Sequence, residues 1–116
     1  MLAIPAPMLA IPAPLLLQEL KPHLVEVAGY YAAMLDLTNP AAVRWMQEEV
    51  LRRQVIGEGG WPASISDGWM ADFGEALPCD GIVLQDGTDA CAFHNQYAVE
   101  WARLNWDAAR ASGASL

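Results

Sequence analysis

Two cysteines and two histidines are the side chains in this sequence best suited to metal binding or thiol chemistry. Cys91 and His94 have the C-x2-H spacing of half a zinc site, and a complete site would need Cys79 and His23 to converge on them. A nucleophilic thiol at Cys91 would need His94 as a base and Asp89 to orient that base. Only one short ligand pair is present, so the simpler interpretation is two small buried cysteines and a histidine at a helix end.

Carboxylates are the second set of side chains that could do chemistry. Asp67 with Asp72, or Asp86 with Asp89, could act as an acid and base pair, although nothing near them in the sequence favours that role. Asp86 and Asp89 also resemble half of a calcium loop, but the remaining ligands and the terminal Glu are missing. The sequence therefore shows no catalytic signature, and we expect no enzyme activity, no cofactor and no metal site.

Negative charge is concentrated in residues 54–102, termed the acidic stretch. It contains no Lys or Arg and carries all of the chain's net charge of −8. Its acidic residues are Glu58, Asp67, Asp72, Glu75, Asp80, Asp86, Asp89 and Glu100. This charge opposes binding to nucleic acid or anionic lipid and favours a basic protein surface. The wide spacing of the carboxylates also argues against mimicry of a DNA backbone.

The first fourteen residues repeat the heptad MLAIPAP, and no charged residue precedes Glu19. Four prolines and the lack of a basic residue argue against a secretory signal or a membrane-spanning helix. We expect a cytoplasmic protein with reduced cysteines, although a Cys79–Cys91 disulfide is geometrically conceivable. The prolines favour an extended arm that docks through Leu2, Ile4, Leu9 and Ile11. A recent duplication or a second start codon at Met8 explains the repeat equally well.

Hydrophobic periodicity, together with helix-capping and turn residues, predicts the helices and strands that would position these candidate side chains. We expect helices over about 22–36, 40–55 and 95–112, the second beginning at Asn39-Pro40 and the third capped by Asn95. Asp86-Gly87 predicts a β-hairpin over about 81–93. The expected fold class is mainly α (α+β), with an extended arm over 1–20 and a single compact domain over 21–116.

These observations together favour a non-enzymatic interaction protein, such as a small acidic inhibitor, accessory protein or adaptor of the kind that phages carry. Its partner would be a protein with a basic surface. The expected partner-binding residues are Trp61, Asp67, Trp69, Asp72, Glu75, Asp86 and Asp89. The alternatives are an assembly component that oligomerises through its arm, a small metal-binding or thiol enzyme using Cys79, Cys91 and His94, and a peripheral membrane protein.

Overall fold

The computed structural model describes residues 11–12, 24–27, 29–57 and 68–112. In chain order the elements are strands β1 (Ile11–Pro12), β2 (Leu24–Val27) and β3 (Tyr30–Ala33), helix α1 (Pro40–Trp45), a π-helix (Met46–Ile56), strand β4 (Ile82–Val83) and helix α2 (Ala90–Ala111). The prediction of three principal helices and one hairpin over 81–93 is wrong, and the reasons differ from element to element.

The region predicted as a first helix over 22–36 contains an antiparallel strand pair. Strands β2 and β3 pair in a register that places Val27 opposite Tyr30 and Leu24 opposite Ala33. Gly29 adopts a φ of +86° at the turn, a conformation that glycine reaches without steric cost. The β-branched and aromatic residues on either side of this turn have high strand propensity, which overrides the weak helical period.

The helix predicted over 40–55 corresponds to α1 and the π-helix that continues it. The Asn39 side chain accepts a hydrogen bond from the Ala41 amide at 2.9 Å, and Pro40 occupies the first turn. After Trp45 the backbone hydrogen bonds change from the α-helical i→i+4 pattern to the π-helical i→i+5 pattern. Gly57, with a φ of +86°, ends the element in the left-handed conformation.

The hairpin predicted over 81–93 does not form, because the residues after Asp86-Gly87 start a helix. The Gly87 amide donates to the Leu84 carbonyl at 3.0 Å, and the Asp86 carboxylate accepts from the Thr88 amide at 2.8 Å. The Asp89 carboxylate then accepts from the Ala92 amide at 2.8 Å and caps α2. Helix α2 thus begins at Ala90 and not after Asn95.

Strand β4 pairs with a piece of the N-terminal region instead of with its own hairpin partner. Ile11 lies opposite Val83, and Pro12 lies opposite Ile82, in a short antiparallel ladder. The other arm residues, Leu2, Ile4 and Leu9, lie outside the described residues, so docking by the arm and the division into arm and domain stay predictions. No helix in the described part of the chain is long and apolar enough to cross a membrane, and the cytoplasmic location stays a prediction.

The core lies between the two helical segments and the loops that join them to the strands. Its most buried apolar side chains are Ala42, Leu51, Leu77, Leu84, Tyr97, Leu104 and Ala108. Asp36 is buried among them and accepts hydrogen bonds from the Thr38 amide, the Thr38 hydroxyl and the Gln85 amide. One face of α2 packs on this core, and an adjoining face holds residues 68–79.

Candidate functional site

Residues 68–79, termed the Asp72 segment, run antiparallel to helix α2 and are attached to it along most of their length. The α2 residues involved recur three or four positions apart, so they share one helix face. Counted from the start of α2, they are Cys91, His94, Ala98, Trp101 and Asn105. At 1.5 Å per residue this face is about 21 Å long. Helix α2 therefore sets the path of the whole Asp72 segment.

Two tryptophans and one asparagine attach the first half of the Asp72 segment. The Trp69 indole Nε1 donates to Asn105 Oδ1 at 2.7 Å, and Asn105 Nδ2 donates to the Trp101 carbonyl at 2.9 Å. The Trp101 indole Nε1 donates to the main-chain carbonyl of Asp72 at 3.1 Å. Asn105 is buried and uses both ends of its amide, so this network fixes the backbone before Asp72 and at Asp72 itself.

Asp72 stands immediately before an unusual backbone conformation. Phe73 has a φ of +60°, and no other non-glycine residue in the described part of the chain has a positive φ. A bulky residue in the left-handed region is strained, and such strain concentrates at functional sites. The Phe73 amide donates to Asp72 Oδ1 at 2.8 Å, while the Asp72 side chain is exposed. The structure thus presents an exposed carboxylate on a backbone that is held in place.

Gly74 follows directly and packs tightly against α2. A Cβ atom at Gly74 would lie 3.0 Å from Cδ1 of Trp101 and 3.3 Å from Cα of Ala98. A side chain at this position would therefore require the Trp101 ring or the Ala98 backbone to shift by a few tenths of an ångström. On the other side, the Phe73 ring meets the Tyr30 ring edge to face, with centroids 6.3 Å apart, so strand β3 also supports this turn.

The second half of the Asp72 segment is attached by a histidine and a disulfide. Nδ1 of His94 donates to the Leu77 carbonyl at 2.5 Å, and because a carbonyl only accepts, Nδ1 carries the hydrogen. Cys79 and Cys91 form a disulfide with their Cα atoms 4.0 Å apart, and both residues are exposed. The expectation of reduced, buried cysteines is therefore wrong, and in this state neither sulfur is a free thiol.

A metal site finds no support in the part of the chain that the structure describes. There, no group of three or more His, Cys, Asp or Glu side chains is placed to hold a metal ion. His23, which the four-ligand zinc arrangement would need, lies outside the described residues.

The residues predicted to bind a partner fall into three groups: some lie at the start of α2, some lie on the Asp72 segment, and some lie outside the described residues. Asp86 and Asp89 are exposed and form the turn and the cap that start α2. Hydrogen bonds from Thr88 hold the pKa of Asp86 below its usual range. Trp69 is half-buried against α2, Glu75 is exposed on the Asp72 segment, and Trp61 and Asp67 lie outside the described residues. Partner binding by these residues stays a prediction.

Comparison with known proteins gives this arrangement a context. A sulfoquinovosidase from Escherichia coli (strain K12) is 40% identical over 91 residues, which is 78% of this chain and 12% of that enzyme. One from Agrobacterium fabrum is 40% identical over 85 residues, and an alpha-xylosidase from Lactiplantibacillus pentosus is 33% identical over 73 residues. No protein-family model matches the chain.

A solved structure agrees with these relatives. It is a GH31 family sulfoquinovosidase from E. rectale in complex with an aza-sugar inhibitor, superposed with a TM-score of 0.75 at 36% identity over 92% of this chain. This chain is similar to one segment of GH31 glycoside hydrolases. It spans only 14% of that solved chain and 12% of the first two curated relatives.

These similarities overturn the functional class that the sequence favoured. A non-enzymatic inhibitor, adaptor or phage accessory protein is wrong, because the relatives and the structural neighbour are glycoside hydrolases. The chain lacks a complete catalytic motif, and the similarity covers only a small part of each enzyme. In the sequence, Asp72 lies between Gly68 and Gly74 and directly before Phe73, but no motif there marks it as catalytic.

Proposed function

We propose that this chain forms part of a glycoside hydrolase that acts on sulfoquinovosides, and that Asp72 is one of its two essential carboxylates. The supporting observation is the combination of 40% identity to two sulfoquinovosidases with an exposed Asp72 carboxylate on a strained, tethered backbone. Sulfoquinovosides are preferred over xylosides as substrates because the alpha-xylosidases are less similar, at 33% and 31% identity.

The geometry of Asp72 fits the chemistry of glycoside hydrolysis. Most of these enzymes use one carboxylic acid to protonate the leaving oxygen and one carboxylate to attack the sugar or to activate water. The Phe73 amide engages Oδ1 of Asp72, while Oδ2 has no hydrogen bond to any residue that the structure describes. We assign Asp72 the role of the carboxylate that attacks the sugar or activates water, with Oδ2 facing the sugar. The second carboxylate would come from the part of the enzyme that this chain does not span.

The charge distribution of the chain bears on how the sulfo group of the substrate would be bound. A sulfonated sugar is an anion, and the acidic stretch over 54–102 contains no Lys or Arg to bind it. A carboxylate at Asp72 can act on the ring carbon, but the cation that binds the sulfo group must lie outside this stretch, either among the Lys and Arg residues elsewhere in the chain or in the part of the enzyme that this chain does not span.

A chimeric enzyme tests this function. The matching segment of the Escherichia coli sulfoquinovosidase is replaced by this chain, and hydrolysis of an aryl sulfoquinovoside and an aryl xyloside is measured. We expect hydrolysis of the sulfoquinovoside, with the unmodified enzyme as the control. A chimera that folds and binds an aza-sugar inhibitor but hydrolyses neither substrate would contradict the proposal.

A further inference from the structure

We infer that Trp101 and Asn105 on helix α2 are positioning residues for Asp72, acting through its main chain. This inference rests on the proposed function of Asp72. Neither side chain touches the carboxylate, so neither would be a catalytic residue. Their proposed effect is to hold the Asp72 backbone at one distance and one orientation relative to α2, and thereby to aim the carboxylate.

The Trp101 indole restrains the turn at two adjacent points. Its Nε1 donates to the Asp72 carbonyl at 3.1 Å, and its Cδ1 lies where a Cβ atom on Gly74 would be only 3.0 Å away. These contacts flank Phe73, whose positive φ would relax if the surrounding structure did not hold it. The hydrogen bond and the tight packing therefore act on both sides of the strained residue.

Asn105 extends this restraint to the residues before Asp72. Its side chain is 6% exposed, accepts from Trp69 Nε1 at 2.7 Å and donates to the Trp101 carbonyl at 2.9 Å. If the Trp69 bond were lost, a buried polar atom would be left unsatisfied, which is costly. Asn105 thus fixes Trp69 to the same turn of α2 that holds Asp72. Two side chains one helical turn apart determine where the carboxylate stands.

The Trp101 side chain packs partly buried against the core and directs its indole donor at the backbone of Asp72. Trp106, on the same helix, is 52% exposed. It provides a matched control, because the same Trp→Phe substitution there should leave the Asp72 turn unaffected.

Hydrogen exchange on the chain itself gives the first test. Trp101→Phe keeps an aromatic ring and removes the donor, and Gly74→Ala pushes the turn away without altering α2. Loss of one hydrogen bond should speed exchange of the amides at 72–76 about fivefold in Trp101→Phe, while α2 amides and the Trp106→Phe control stay unchanged. Unchanged exchange at 72–76 in both Trp101→Phe and Gly74→Ala would overturn the inference.

Kinetics of the chimeric enzyme give the second test. Displacing a reacting group by about 1 Å can cost about a hundredfold in rate, so Trp101→Phe should lower kcat by about tenfold to a hundredfold with little change in KM. A merely structural role would lower the melting temperature and leave kcat per folded molecule unchanged, which would overturn the inference. Asp72→Asn is measured separately. Full activity in that variant would refute the proposed function, whatever the result for Trp101→Phe.

Discussion

Asp36 and Tyr97 show how single polar residues are accommodated in the core beneath the Asp72 segment. Asp36 is 2% exposed, and its two carboxylate oxygens accept three hydrogen bonds, one of them from the Gln85 amide 49 residues away. The Tyr97 hydroxyl donates to the Leu35 carbonyl at 2.9 Å. Buried polar groups with all their partners present specify one arrangement of the chain. These two residues therefore link α2 to the loops before α1 and after β4.

Tyr97 gives a prediction about alkaline pH. Burial, with the nearby Asp36 charge, raises the pKa of Tyr97 well above its ordinary value of 10.0. In the unfolded chain this tyrosine ionises near 10, so the free energy of unfolding should be constant below that pH and fall above it. Tyr97→Phe should remove the part of the fall in unfolding free energy above pH 10 that comes from ionisation of this tyrosine. It should also cost about 1 kcal/mol at neutral pH, because the bond to Leu35 is lost.

Urea unfolding at neutral pH and above pH 10 measures both effects of the Tyr97 substitution. Tyr31→Phe is the matched control, since Tyr31 is 70% exposed. If the alkaline loss of stability is as steep in Tyr97→Phe as in the unsubstituted chain, the explanation from burial is wrong.

Among the elements, α2 was predictable in type but not in its start, and the β2–β3 pair was assigned to the wrong type altogether. Tyr97, Leu104 and Ala108 recur at helical spacing and are buried as that period predicts. The start of α2 was misplaced because Asp86-Gly87 favours a hairpin turn as well as a turn into a helix, and only the partner of β4 decides between them. That partner is β1, some 70 residues earlier in the chain.

The β2–β3 pair was misread because its residues fit two periods. Leu24, Val27 and Tyr31 recur as on a helix, yet they also belong to two four-residue strands joined at Gly29. Short apolar runs cannot be assigned by periodicity alone. Here the deciding feature is Gly29, because its positive φ permits the tight turn that joins the two strands.

The disulfide at the end of the Asp72 segment gives a prediction at the scale of elements. Cys79 and Cys91 are 12 residues apart. Closing a loop of that length should stabilise the fold by about 3 kcal/mol, because the cross-link lowers the conformational entropy of the unfolded chain. Urea unfolding with and without a dithiol reductant measures this difference. The double variant Cys79→Ser/Cys91→Ser is the control and should show no response to the reductant.

A chain that unfolds at the same urea concentration under both conditions would contradict this assignment of the disulfide. Labelling the unreduced protein with a thiol reagent provides an independent check, because no free cysteine lies in the part of the chain that the structure describes. Uptake of the label by Cys79 or Cys91 in the absence of reductant would be the contrary result.

For the molecule as a whole, the proposed function explains why so much apolar surface is exposed. Large apolar side chains are exposed on both the strand pair and the Asp72 segment, with Tyr31 70% and Met70 83% exposed. Under the proposed function, the same surface packs against the remainder of a larger enzyme, because the similarity covers only 12% of each sulfoquinovosidase.

The candidate site could be predicted only in part from the sequence. Trp69 and Asp72 were selected because they lie in the acidic stretch, but the role expected for them was partner binding. Trp101 and Asn105 were not selected as site residues at all. Their bonds to Asp72 and Trp69 span 29 and 36 positions of the chain, and side-chain contacts over such separations depend on the packing of α2. No local pattern encodes them.

The most direct test of the central claim is the rate of sulfoquinovoside hydrolysis by the chimeric enzyme carrying Asp72→Asn. Asparagine keeps the size of the side chain and removes the charge, so we expect a fall in kcat of about a thousandfold or more. Asp107→Asn, at an exposed position on α2, is the matched control and should keep the rate of the unsubstituted chimera. A folded Asp72→Asn chimera with an unchanged kcat would contradict the account.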